Sequence, residues 1–387
     1  MQRSLSSNSF KLGRIAGIDI GVHWSWLFIY VLLTWSLGST LFDEEFPGWT
    51  ASQRWLAGLI TASLFFMSIL LHEISHALMA RRLGLPVHSI TLFIFGGVSS
   101  LGREPDKPRD EFLIAIVGPG TSFLLAVVFG LAWLFADPAS HLVSVVCGYL
   151  ALVNFSLGVF NMLPGFPLDG GRVFRAMVWG RKHDLLQATR IASIVGVGVA
   201  YLMILAGVVV TFWAAFISGI WLIFIGWFLK NMSEASYQQM VLHQVLEGMP
   251  VSSLARDSTV AVLPQTTLRE LADEYILRRG LRYFPVVSEA GVLLGLISLT
   301  DLQHVPDSQW PETTVYRAMT PRERLVALSP SDDAVRAFEL MVDRDVHQLP
   351  VLESDDRLLG FVTRAQLLDL IRNRVQLGQP GGASLKT

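Results

Sequence analysis

Over the first 230 or so residues, long apolar runs alternate with short polar loops; beyond Lys230 no run is comparable. Six apolar stretches, at about residues 22–41, 56–81, 112–135, 142–163, 189–211 and 213–229, match the length of a bilayer-crossing helix. Such a helix needs about 20 mostly apolar residues. The later sequence is organised differently, by short apolar runs separated by glycine turns. One copy of a repeat runs from Arg282-Tyr-Phe-Pro-Val-Val to Gly295-Leu-Ile-Ser-Leu-Thr-Asp301. The other runs from His347-Gln-Leu-Pro-Val-Leu to Gly360-Phe-Val-Thr-Arg-Ala-Gln366. Pro285 and Pro350 are 65 residues apart, and so are Gly295 and Gly360, which marks a duplicated unit. Each copy predicts strand, turn, strand and helix, with amphipathic helices before them at residues 267–277 and 331–342. The chain is therefore expected to divide into a membrane domain at residues 1–231, a connector at 232–248, repeats at 249–306 and 315–374, and a frayed tail at 375–387.

Composition agrees with this division. Hydrophobic residues make up 52% of the 387 and charged residues only 16%, where soluble domains carry about 25% charged residues. A formal net charge of -2 gives no case for a nucleic-acid partner. The lone cysteine, Cys147, excludes an intrachain disulfide and a cysteine-based zinc cluster. The basic N-terminal arm (Arg3, Lys11, Arg14) leads into apolar sequence without a small-residue cleavage site, so an uncleaved first span is expected. Basic residues set the expected orientation. Arg81, Arg82, Arg103, Lys107 and Arg109 follow the second span; Arg172, Arg175, Arg181, Lys182 and Arg190 follow the fourth. Opposite them, Asp43, Glu44 and Glu45 face only Arg54, and the loop with Asp137 has no Lys or Arg. Both termini and the repeats are thus expected on the cytoplasmic side.

The second span contains Leu71-His-Glu-Ile-Ser-His-Ala77, an H-E-x-x-H pattern. Two histidines at i and i+4 share a helix face, so both imidazoles can reach one zinc ion. Glu73 lies near that face and can take a proton from a water activated at the metal. Ionisable side chains within an apolar span cost several kcal/mol unless paired, metal-bound or facing a wet cavity. A catalytic zinc site usually has three protein ligands and an open position. Asp169 is the acid nearest the cytoplasmic end of the fourth span, just after a break at Pro164, Gly165 and Pro167. It can meet His72 and His76 at similar depth; otherwise it is a solvated turn residue.

His72-Glu73-x-x-His76, together with Asn161 and Leu168-Asp169-Gly170-Gly171, resembles the site-2 protease family of intramembrane zinc metalloproteases. The repeats resemble a CBS (cystathionine β-synthase-type) pair. The combination resembles the six-helix prokaryotic branch of that family. It implies an α-helical polytopic membrane domain of six transmembrane helices followed by an α/β tandem CBS pair. The expected activity is zinc-dependent endopeptidase cleavage of transmembrane segments within the lipid bilayer, as in regulated intramembrane proteolysis. The resemblance makes His72, His76 and Asp169 ligands of one zinc ion per chain. It makes Glu73 general base and then general acid, and sets Asn161 to face the substrate carbonyl. The alternative for Asn161 is a helix–helix hydrogen bond. Phe95-Gly-Gly-Val-Ser-Ser-Leu101 resembles the family's membrane-dipping strand region, whose edge an unwound substrate could extend; an ordinary hairpin is the alternative.

CBS pairs bind adenine nucleotides (AMP, ADP or ATP) in relatives, and the resemblance sets Ser298 and Asp301 at such a cleft. The second copy has Thr363 but Gln366 in place of the acid, a weaker acceptor. The resemblance further implies a homodimer through the CBS pair and a plasma-membrane location. A competing reading, a transporter or channel gated by its CBS pair, uses the same intramembrane His and Asp as ion sites.

Overall fold

The computed structural model describes residues 9–93, 96–101, 104–136, 141–213, 215–255, 260–278, 280–281 and 283–377. Two compact units divide the chain, Met1–Met240 and Val241–Thr387.

The first unit opens with a hairpin. Strands β1 (Ser9–Ile15) and β2 (Ile18–His23) pair antiparallel, with Ile15 opposite Ile18. The two residues between them, Ala16 and Gly17, both have positive φ (49° and 79°), the sign pattern of the hairpin turn that matches strand twist. The guanidinium of Arg81 donates to the Ala16 carbonyl. Ile18, Ile20 and Val22 are buried at every second residue. This corrects the reading of the N-terminus as a basic arm that turns apolar from about residue 18 and enters a helix at about residue 22. Over five residues, alternating Ile-Asp-Ile-Gly-Val next to a long apolar run is absorbed by the helix signal; the strand is decided by its partner. β2 pairs in parallel with β3 (Val87–Phe93), which pairs antiparallel with β4 (Gly96–Leu101). The order β1-β2-β3-β4 leaves β4 at an edge.

Helix α1 (Trp24–Ser36) is N-capped by His23, whose Nδ1 accepts from the Ser25 amide at 3.3 Å. It continues through a π-helical turn (Leu37–Leu41) and a short turn (Phe42–Glu45). Helix α2 (Ala51–Arg82) begins with a capping box between Thr50 and Gln53. Helices α3 (Pro108–Leu134), α4 (His141–Asn161), α5 (Asp169–Lys182), α6 (Leu185–Trp213) and α7 (Phe216–Leu246) follow. Among the described residues, six helices are long and apolar enough to cross a membrane; α5 is the one long helix of this unit that is not. Their large apolar side chains are exposed in rows, such as Leu27, Phe28, Val31 and Trp35 on α1. Contiguous apolar surface of this extent suits lipid rather than water.

Two further differences concern ends. The last span was expected to stop near residue 229, yet α7 runs on to Leu246, because a polar surface does not end a helix that no Gly or Pro interrupts. Arg175 was counted among loop cations but lies 4% exposed within α5. Arg3, Phe95, Arg103, Asp137 and Arg282 lie outside the described residues, as do residues 378–387 of the expected tail. Residues 375 and 376 end a helix.

In the second unit, β5 (Tyr283–Val287) pairs with β6 (Leu293–Ser298), and β8 (Gln348–Leu352) with β9 (Leu358–Thr363). Tyr283 opposes Ser298 and Gln348 opposes Thr363, and each ladder has its irregularity one residue before its end. The 65-residue offset of the sequence is thus also the offset of the registers. A short strand, β7 (Thr320–Pro321), joins β6. Helix α8 (Leu268–Glu270) continues as a π-helical turn, Leu271–Leu277. Helices α9 (Leu299–Gln303), α10 (Val315–Ala318), α11 (Ala334–Asp343) and α12 (Arg364–Gln376) complete the unit. The copies meet at an antiparallel bridge between Val292 and Arg357, which are themselves 65 residues apart, so a pseudo-twofold axis passes there. Pro250 bridges to Asp333 and Thr314 to Thr267, so each copy's leading segment joins the other copy.

Candidate metal centre

The H-E-x-x-H segment lies in the C-terminal half of α2, its first histidine ten residues before the helix ends at Arg82. His72 and His76 are 4% and 7% exposed, and their ring centroids are 4.9 Å apart. The i, i+4 spacing stacks them one turn apart. Asp169 is the first residue of α5, after a turn that contains a cis Phe166–Pro167 peptide. Its Oδ2 lies 3.1 Å from His72 Nε2 and 3.2 Å from His76 Nε2, and the two Nε2 atoms are 3.2 Å apart. Among the described residues this is the one cluster of three such groups suited to a metal ion.

The far side of each imidazole is fixed by α3. His76 Nδ1 donates to the Ile114 carbonyl at 2.6 Å, and His72 Nδ1 lies 2.9 Å from Ser122 Oγ. A carbonyl oxygen only accepts, so His76 Nδ1 carries a proton, and in the neutral ring Nε2 is then the atom with a lone pair for a metal ion. Pro119 lies inside α3 and supplies no N–H to the Ala115 carbonyl four residues before it. Gly118 lies between these two anchor points. A Cβ built on it would fall on both Nε2 atoms, so the α3 backbone itself approaches the imidazoles.

An Nε2 lone pair and a carboxylate oxygen at such a separation repel unless a proton or a metal ion lies between them. Tetrahedral zinc with ligand bonds of about 2.0–2.1 Å puts ligand atoms about 3.3 Å apart. The observed triangle of 3.1, 3.2 and 3.2 Å fits that ion. His72, His76 and Asp169 can therefore hold zinc, with a fourth position left for water or substrate.

Glu73 comes up against β4. A Cβ on Gly97 would overlap the Glu73 side chain, so the strand backbone passes at contact distance from this carboxyl group. Asn161 closes α4, and its Nδ2 donates to Leu157 of the same helix at 3.1 Å. The helix–helix bond considered from sequence is not the one it makes here. Ser122, Gly118 and the Ile114 carbonyl escaped the sequence reading. A serine and a glycine in an apolar helix are common packing residues, and a carbonyl has no sequence signature.

In the second unit, Asp301 Oδ2 accepts from both Ser298 N and Ser298 Oγ at 2.7 Å. In the other copy Gln366 Oε1 accepts from Thr363 N at 2.8 Å, and Gln366 N donates to Thr363 Oγ1 at 3.3 Å. Acid and amide thus do the same capping work at the same register.

Fold and site together define a membrane-embedded metallopeptidase followed by a CBS pair, and comparison with known proteins agrees. Residues 60–138 and 135–205 match Peptidase family M50, and residues 251–307 and 315–373 match the CBS domain. The chain is 34% identical to Rip3 of Mycobacterium tuberculosis over 378 residues, covering 96% of this chain and 95% of that protein. It is 28% identical to the zinc metalloprotease MJ0392 of Methanocaldococcus jannaschii, covering 93% and 95%. It also resembles the solved site-2 protease of Methanocaldococcus jannaschii, with 29% identity, 59% and 95% coverage and a TM-score of 0.42. The chain belongs to the M50, or site-2 protease, family: it is an intramembrane zinc metalloprotease with a C-terminal CBS pair. The matches that cover the membrane domain fall on proteases, which decides between the two readings of the intramembrane His and Asp.

Proposed function

We propose that His72, His76 and Asp169 bind one zinc ion per chain and that Glu73 moves the proton in cleavage of a transmembrane protein substrate. The convergence of three ligand atoms at 3.1–3.2 Å carries this reading. Zinc held there would supply a Lewis acid that polarises a carbonyl and activates water at neutral pH. Glu73, the residue next to His72 on the same helix, takes a proton and returns it to the leaving amine. Asn161 donates from its side-chain amide to the developing oxyanion, after rotating away from Leu157; one such donor is worth about 3–4 kcal/mol in characterised sites.

A transmembrane helix presents no free carbonyl, so the substrate must unwind. The free edge of β4, beside Glu73, suits an extended segment that adds as a further strand. The basic loops support an orientation with both termini and the CBS pair in the cytoplasm, and likeness to the prokaryotic branch of the family supports a plasma membrane. An adenine nucleotide at the CBS pair, reached by Ser298 and Asp301, and a homodimer through that pair complete the proposal.

The test uses the purified full chain in proteoliposomes with a single-pass substrate. Glu73→Gln should keep about one zinc per chain and lose cleavage by at least about 1,000-fold. Peptidase activity retained in that variant rejects the assignment of Glu73. Stoichiometric zinc in His72→Ala rejects the ligand set.

A further inference from the structure

The histidines are anchored on α3, but Asp169 comes from another helix, and something must hold α5 at the right height. Four residues of α3, Glu111, Ile114, Gly118 and Ser122, recur at i, i+3, i+7 and i+11, and all are buried. At about 100° per residue they fall within about 80° of helix circumference. The last three face the imidazoles, as described. Glu111, at the head of the row, is 0% exposed and faces α5.

Its partner there is Arg175. Arg175 Nε donates to Glu111 Oε1 at 2.6 Å, and Nη2 reaches the same oxygen. The guanidinium touches three further groups. Nη1 donates to Thr189 Oγ1 of α6 at 3.5 Å, Nη2 lies 3.7 Å from the exposed Glu104 Oε2, and Cζ sits 5.0 Å above the centre of the Phe166 ring. Arg172 Nε adds a longer contact to Glu111 Oε1 at 3.9 Å. Glu111 Oε2 has no partner among the described residues. Phe166 stands three residues before Asp169 and Arg175 six after it. One side chain therefore ties the turn before Asp169, the helix after it, and the α3 face that holds both histidines.

We propose that the Glu111–Arg175 pair is a positioning clamp that sets Asp169 against His72 and His76, and so tunes metal affinity and geometry. Stability alone gives little reason for such a pair. Buried ion pairs are often replaceable by apolar residues of similar volume without loss, and their best-attested use is to fix register. Register matters here, since metal and catalytic sites require ligands held within about 0.5 Å. The planar fork of arginine suits that task and lysine does not supply it.

The inference rests on Asp169 being a ligand, and the experiment separates the two. Full-length Arg175→Lys, Glu111→Gln and Asp169→Ala proteins are purified in detergent and stripped of metal. Zinc affinity is measured by competition with a chromophoric chelator, and the visible spectrum of the cobalt(II) form reports ligand geometry. Arg175→Lys and Glu111→Gln should each weaken zinc binding about 10- to 100-fold, the usual effect of an outer partner, and shift the cobalt bands. A lower melting temperature with native affinity and native bands in both variants overturns the clamp. Loss of folding in both assigns the pair to the fold and overturns it equally. Native zinc affinity in Asp169→Ala would instead reject Asp169 as a ligand.

Discussion

The Nδ1 of His76 donates to the Ile114 carbonyl of a neighbouring helix at 2.6 Å, which in the neutral ring leaves Nε2 facing Asp169 as an acceptor. A main-chain oxygen holds this tautomer, so no side-chain substitution at Ile114 removes it. His72 is held by a side chain instead, Ser122 Oγ at 2.9 Å. The two imidazoles are therefore unequally open to test.

Ser122→Ala removes the outer partner of His72 and leaves its ring free to tilt. Zinc affinity should fall about 10- to 100-fold, read by chelator competition. The Ser122→Thr protein keeps the hydroxyl and should retain more of the affinity, provided its added methyl is tolerated in this buried position.

Gly118→Ala separates metal binding from folding. Alanine favours a helix interior by about 1 kcal/mol over glycine, so α3 itself gains. The new methyl, however, falls on both Nε2 atoms. The expected protein folds, shows unchanged helix content by circular dichroism, and carries little zinc by elemental analysis. A full complement of zinc would contradict the close approach of α3.

Gly97→Ala tests the contact between β4 and Glu73. Its φ lies outside the left-handed region, so alanine meets no backbone strain there. The added methyl displaces the Glu73 carboxyl group. Zinc content should stay near one per chain while the cleavage rate falls at least about 100-fold. Equal loss of zinc and rate would show that the effect is not confined to Glu73.

The CBS copies predict an asymmetric response. Asp301→Ala removes a cap that accepts twice from Ser298, at a cost of about 1 kcal/mol to the local helix. It should also abolish binding of AMP or ATP by the full chain in titration calorimetry. Gln366→Ala should cost comparable stability and leave nucleotide binding intact. Equal loss of binding in both variants would place the ligand at both copies alike.

Much of this architecture is legible in the chain. Hydrophobic run length alone marks the six spans, because a bilayer forces each span to satisfy its own backbone hydrogen bonds. The 65-residue offset between Pro285 and Pro350 reappears as identical ladder registers, because a duplicated pattern of buried positions admits one pairing. The i, i+4 spacing of His72 and His76 is likewise local and survives into the structure.

Tertiary structure decided the rest, wherever the partner is remote in sequence. The N-terminal hairpin depends on β3, more than sixty residues on, and on Arg81 at its turn. Ser122 lies fifty residues from His72, and Arg175 sixty-four from Glu111. None of these residues differs in type from an ordinary packing serine or loop cation. Sequence determines which side chains can bind a metal and which segments must lie in lipid, since both follow from local spacing and transfer energy. Only the packing of α3 against α2 and α5 fixes the imidazole tautomer and brings Asp169 within 3.1 Å of His72, because those distances are set by helices that meet only in the folded chain.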